Sequence, residues 1–127
     1  MAQANAYANA ELGNGWDEFL VNEVNTFAKW DLIRFFHENP YTTDTADHIA
    51  SVIGRDEKQV KRELEDLSRT GILTKKKVSK ADVYSYSTDS DIRSRIEAFI
   101  SACYDREFRI HAINQVIQGM DAERHSA

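Results

Sequence analysis

Cysteine is almost missing from this chain: Cys103 stands alone among 127 residues. A single cysteine excludes an internal disulfide framework and a multi-cysteine zinc site. Proline is as scarce, with Pro40 alone, and glycine numbers five, which argues against a fibrous or low-complexity chain. No uncharged apolar run approaches the roughly 18 residues that a membrane span needs. Residues 1 to 10 hold neither a basic cluster nor an apolar block, so no secretory leader is expected and the expected location is the cytoplasm. Catalytic signatures are lacking too. There is no glycine-rich phosphate loop, no H-E-x-x-H and no nucleophile motif. His37, His48, His111 and His125 show no ligand spacing. The expectation is a non-enzyme without metal or cofactor.

Hydrophobic residues make up 42% of the chain and charged residues 29%, enough for one modest core. The net charge of -5 speaks against a polyanionic partner, but the average hides a segregation. From Arg55 to Lys80 there are nine basic and five acidic residues, a local +4 against -9 for the remainder. One basic segment on an acidic body is the asymmetry a nucleic-acid partner requires.

The coarse organisation follows from periodicity. Residues 1–15 are Ala/Asn/Gly-rich without a helical stripe and read as a mobile tail. Trp16, Phe19, Leu20, Val24 and Phe27 recur at spacings of three and four, and a denser apolar set runs to Phe36. This is one bent helix or two, with Asn25 able to cap the second. Asn39-Pro40 ends it, because the residue before proline avoids helical dihedrals. Tyr41 to Thr43 is a β-prone connector, and Asp44 is the expected N-cap of the next helix, with Asp47 in its first turn. Ala46, Ile49, Ala50 and Ile53 form its stripe, and Gly54 suits a left-handed stop. Asp56 then caps a helix with Gln59 in the capping-box position, its apolar face being Val60, Leu64 and Leu67. Gly71 closes it. Ile72 to Val78 and Val83 to Ser87 are β-prone runs around a loop at Ser79-Lys80-Ala81-Asp82. Asp89 or Ser90 caps a long helix reaching about Gln118, over residues 89–120, with 121–127 as a second tail.

Two helices joined by the tight Ile53-Gly54-Arg55-Asp56 turn are a helix-turn-helix pattern. The lysine-rich hairpin follows directly. The segments Asp47 to Gly54, Asp56 to Leu67, Thr70-Gly71-Ile72-Leu73 and Val83-Tyr84-Ser85-Tyr86 together resemble winged helix-turn-helix bacterial transcriptional regulators of the MarR/ArsR/PadR type. The resemblance covers roughly residues 26 to 88. It implies that the third helix is the recognition helix and the hairpin the wing. Where a MarR-type wing carries D-x-R, this hairpin has Lys75-Lys76-Lys77 and Lys80. The paired cysteines of metal-sensing ArsR members are absent. In similar regulators a small-molecule effector binds between the dimer helices and the winged domain. The expected fold class is mostly α with a small β-hairpin: a winged helix-turn-helix domain over 16–88 with a long C-terminal dimerisation helix.

A recognition helix offers its N-terminal side chains to base edges in the major groove. Here those are Lys58, Gln59, Lys61 and Arg62, with Lys75, Lys76, Lys77 and Lys80 set to neutralise flanking phosphates. The competing explanation is a solvated charged helix beside an edge strand protected by lysines. The long helix, about 40 Å at roughly 1.5 Å per residue, invites a homodimer. Ile96, Phe99, Ile100, Cys103, Ile110, Ile113 and Ile117 would then meet a mate helix together with Trp16, Phe19 and Leu20. The alternative is a break near Asp105 that folds the helix back. Cys103 is read as a small hydrophobe rather than a redox sensor. Double-stranded DNA is the expected partner; the functional alternative is a winged-helix protein–protein interaction module without specific DNA binding.

Overall fold

The structure, a computed structural model, describes residues 15–126, with side chains through Asp121. The expected N-terminal tail, residues 1–15, lies outside the described residues except for Gly15, which stands at the N-cap of the first helix. Two compact units emerge, residues 28–96 and a second combining residues up to Phe27 with those from Glu97 onward. The described residues are mostly helical with one small antiparallel sheet.

Helix α1 (Trp16–Asn22) and helix α2 (Phe27–Glu38) are separate, so the first apolar stretch is two helices. In the unit of residues 28–96, α2 buries Ala28, Leu32, Ile33 and Phe36. Asn39 ends it by donating its side-chain amide to the Phe35 carbonyl at 2.9 Å. A three-residue strand β1 (Thr43–Thr45) follows, then α3 (Ala46–Ile53), whose N-cap is Thr45 rather than Asp44. Asp44 instead accepts the Thr45 amide at 2.8 Å and pairs with His48. Gly54 stops α3 at φ 74, a conformation that glycine adopts without the Cβ penalty. Helix α4 (Glu57–Arg69) opens on Asp56, whose carboxylate accepts the Gln59 amide at 3.0 Å. Such a cap contributes about 1 kcal/mol.

Strands β2 (Leu73–Val78) and β3 (Ala81–Tyr86) form the hairpin, and β1 pairs with β3, giving the order β1-β3-β2. The expected four-residue loop is shorter: only Ser79 and Lys80 turn, at φ 50 and 73, while Ala81 and Asp82 belong to β3. Two successive positive φ values match the right-handed twist of a hairpin. One sheet face carries Leu73, Lys75 and Lys77 opposite Tyr86, Tyr84 and Asp82; the reverse face carries Thr74 and Lys76 opposite Ser85 and Val83.

The expected single C-terminal helix is two helices, α5 (Ser90–Ala102) and α6 (Arg106–Ser126). The second runs through most of the segment expected to be a tail. Asp105 causes the break: its carboxylate accepts the Phe108 amide at 2.9 Å and starts a new helix. Folding back closes an aromatic cluster within this unit. Trp16, Phe19, Phe99 and Phe108 meet with ring centroids 5.2 to 6.2 Å apart. Tilted and edge-to-face pairs of this kind add about 0.5–1.5 kcal/mol each beyond area burial. His111 and Asp17, 2.5 Å apart, tie α6 to α1.

This packing corrects the expected dimer face. Trp16, Phe19, Leu20, Ile96 and Phe99 are buried by the chain itself, so a mate cannot cover them. Ile100, Cys103 and Ile113 are half-buried. On α6 the buried row is Phe108, Ala112 and Val116, and the isoleucine row expected to be apolar contact surface faces outward, Ile110 at 46% and Ile117 at 43% exposure. The aromatic at 108 wins the inward face because Trp16, Phe19 and Phe99 already form its socket.

Candidate nucleic-acid interface

Helix α4 is a 13-residue rod with a sharply divided circumference. Val60, Glu63, Leu64 and Leu67 are buried. At 3.6 residues per turn the opposite side falls on Lys58, Arg62, Glu65 and Arg69, with Lys61 on one flank. Gln59 lies roughly a quarter-turn away from that stripe and is half-buried.

Three of the four acids of α4 are consumed within the protein. Glu63 faces Lys29 of α2 at 3.7 Å, both side chains only 6% exposed. Lys29 also reaches Asp66 at 3.2 Å, and Asp66 binds Arg69 at 2.7 Å. Glu65 turns to the hairpin, where Tyr84 donates its hydroxyl at 2.7 Å and Lys75 its ammonium at 3.0 Å. The Lys75 hydrogen bond, then that of Tyr84, holds the Glu65 carboxyl below the ordinary carboxylate range. The same contact raises the Lys75 ammonium above its ordinary value. Burial, reinforced by Glu65, pushes the Tyr84 hydroxyl far up, so it stays a proton donor.

The cations behave oppositely. Lys58, Lys61 and Arg62 are exposed, and no hydrogen bond or ion pair engages them among the described residues. Glu57 is the one acid left open on α4, at its first turn, where the helix dipole favours a negative charge. The turn before α4 is fixed as well. Arg55 directs two nitrogens onto one Asp31 oxygen, at 2.8 and 2.7 Å, pinning the α3–α4 corner to α2.

The hairpin separates its lysines. Lys75 is neutralised by Glu65 and by Asp82 at 3.8 Å. Lys77, on the same face, sits 3.5 Å from Asp82 and stays 69% exposed, a loose pair of little worth. Lys76 points to the reverse face, away from the side that meets α4. Lys80 is exposed in the turn. Of the eight expected DNA contacts, Lys58, Lys61 and Arg62 are open on α4, and Lys77 and Lys80 stay exposed on the hairpin. Gln59 lies beside the outer stripe of α4, Lys75 is engaged internally and Lys76 is turned away.

Sequence reasoning missed Lys29, Glu63, Asp31 and the Glu65–Tyr84 contact. A signal existed for the first two. Lys29 stands in the buried row of α2 with Ala28, Leu32, Ile33 and Phe36, and Glu63 stands in the buried row of α4; opposite charges in two core-facing rows are an ion-pair pattern. Cys103 is half-buried, and burial pushes its thiol up to about 12, which leaves no thiolate for redox sensing at neutral pH. Trp16 is part of the aromatic cluster and Trp30 is half-buried. Among the described residues no group of three or more His, Cys, Asp or Glu is placed to hold a metal ion, and no helix is long and apolar enough to cross a membrane. The chain matches no protein-family model, no curated protein and no solved structure.

Proposed function

We propose that this chain is a sequence-specific DNA-binding regulator of transcription, a winged helix-turn-helix protein acting as a homodimer in the cytoplasm. The observation that carries the reading is the sorting of charge on α4: Glu63, Glu65 and Asp66 are tied to Lys29, the hairpin and Arg69, while Lys58, Lys61 and Arg62 stay open. The element order helix, strand, helix, helix, strand, strand, with the sheet order β1-β3-β2, supports α3 and α4 as the helix-turn-helix pair and the hairpin as the wing. Under this reading α4 is the recognition helix and enters the major groove, about 12 Å wide. Lys58 and Arg62, one turn apart on the outer stripe, face base edges, where guanine O6 and N7 suit them. Lys61, Lys77 and Lys80 contact phosphates, which supplies most of the affinity and makes it fall with salt. The homodimer is supported by the exposed Ile110 and Ile117 on α6, with half-buried Ile113 between them on the same helix face.

Selection of bound fragments from random duplex DNA tests the reading. The expected product is a two-fold symmetric consensus with guanine in each half-site. Lys61→Ala combined with Arg62→Ala is expected to abolish binding to that consensus while leaving the thermal midpoint unchanged. No consensus, or a consensus bound unchanged by the double variant, overturns the reading in favour of a protein-interaction module.

A further inference from the structure

The outer face of α4 carries one carboxylate at its middle. Glu65 lies one turn beyond Lys61 and Arg62, where charge alone opposes a polyanion. Its contacts give it a different role. Glu65 Oε1 accepts the Tyr84 hydroxyl at 2.7 Å, and Lys75 Nζ lies 2.8 Å from Oε1 and 3.0 Å from Oε2. Tyr84 and Lys75 are register partners on neighbouring strands, so a single side chain of α4 grips both strands of the hairpin. Tyr84 is fully buried, which makes its hydroxyl a fixed point. Beyond this grip the hairpin runs on through Lys76, Lys77 and Val78 to the Ser79-Lys80 turn, all exposed. At roughly 3.3 Å per residue the free arm is about 10 Å long. A change in angle at Glu65 is therefore carried outward to Lys77 and Lys80.

We propose that Glu65 is a positioning residue for DNA binding: it holds the wing at one angle to the recognition helix, so that Lys77 and Lys80 meet phosphates while Lys58 and Arg62 occupy the groove. The proposal rests on the functional reading above and deepens it. Lys75 has a matching part. Its ammonium cancels the Glu65 charge, so the grip costs the face no net repulsion. Tyr84 adds direction, because its ring fixes where the hydroxyl points.

The sign of one substitution separates this from simple electrostatics. Removing an acid from a DNA-facing surface tightens binding if charge alone matters. If Glu65 positions the wing, Glu65→Ala weakens binding to the selected site several-fold. The salt dependence then falls by the equivalent of about one to two phosphates, and the consensus bases are unchanged. Glu65→Gln keeps an acceptor for the Tyr84 hydroxyl and recovers part of the loss. The exchange Glu65→Lys with Lys75→Glu rebuilds the pair in reverse and restores the salt dependence, which a purely structural defect would not do. Thermal melting of each variant shows that the fold is retained. Glu65→Ala binding as tightly as the parent, or tighter, with unchanged salt dependence overturns the proposal and leaves the regulator reading standing. A parent chain that binds no duplex removes both.

Discussion

Helix α4 and the hairpin carry most of the cations of the basic segment, four each, and they use them differently. On α4 the cations Lys58, Lys61 and Arg62 are open, because Lys29, Lys75, Tyr84 and Arg69 from other positions satisfy the neighbouring acids. On the hairpin three consecutive lysines look like one positive block, yet strand alternation sends Lys76 to the reverse face and the two others toward acids. A basic run on a strand is diluted by its own period of two, whereas a helix can gather cations from positions three and four apart. The count of positive residues is thus a poor measure of positive surface. What matters is which carboxylates the fold brings to them.

The contrast can be broken at its root. Lys29→Ala removes one partner of buried Glu63 and one of Asp66, and is expected to cost about 3 kcal/mol of stability, read as a lower denaturant midpoint. Lys29→Met with Glu63→Leu replaces the pair by apolar groups and is expected to recover most of that loss. A single variant as stable as the parent would show that the acids of α4 need no internal partner.

The wing tip gives the next largest effect. Ser79 and Lys80 both hold positive φ, where Asn-Gly is preferred. Ser79→Asn with Lys80→Gly relieves the left-handed backbone penalty and is expected to raise stability by about 1 kcal/mol, a rise of several degrees in thermal midpoint, while DNA affinity falls with the lost ammonium. Stability and affinity rising together would remove Lys80 from the interface.

Neighbouring lysines sharpen the comparison further. Lys77→Ala is expected to lower the salt dependence of DNA binding by about one phosphate, and Lys76→Ala to leave it unchanged. Equal effects of the two would mean that strand alternation does not set the wing's contact face.

The smallest effect is a pH dependence. Glu65 has a folded-state pKa below its ordinary value, so its contribution is complete above the ordinary carboxylate range and is lost as pH falls through the depressed value. The group is partly exposed, and the contribution is expected to stay under about 1 kcal/mol. In Glu65→Gln that part of the acid-side slope in a melting series should vanish; an unchanged slope assigns it to other carboxylates.

Much of the architecture was legible because its causes are local. Gly54 at a helix stop, Asp56 as a cap and Val60, Leu64 and Leu67 at helical spacing act within a few residues, and the structure has each in that role. Strand β1 was not legible: three residues carry no alternation pattern, and they become a strand only by pairing with β3. The fold-back at Asp105 stood as the second alternative in the sequence, since an aspartate inside a helical pattern is also a cap. The choice was made by Trp16 and Phe19, distant in the chain, which give Phe99 and Phe108 a common socket.

The sequence alone therefore determined helices α3 and α4, the tight turn between them, the hairpin and the basic segment that spans them. Tertiary structure decided which charges remain open, which lysines share a face and which isoleucines point outward. The reason is range. Periodicity and capping are settled between residues a turn apart, but Arg55 finds Asp31 across 24 positions and Tyr84 finds Glu65 across 19. Only the folded packing brings such partners within hydrogen-bonding distance.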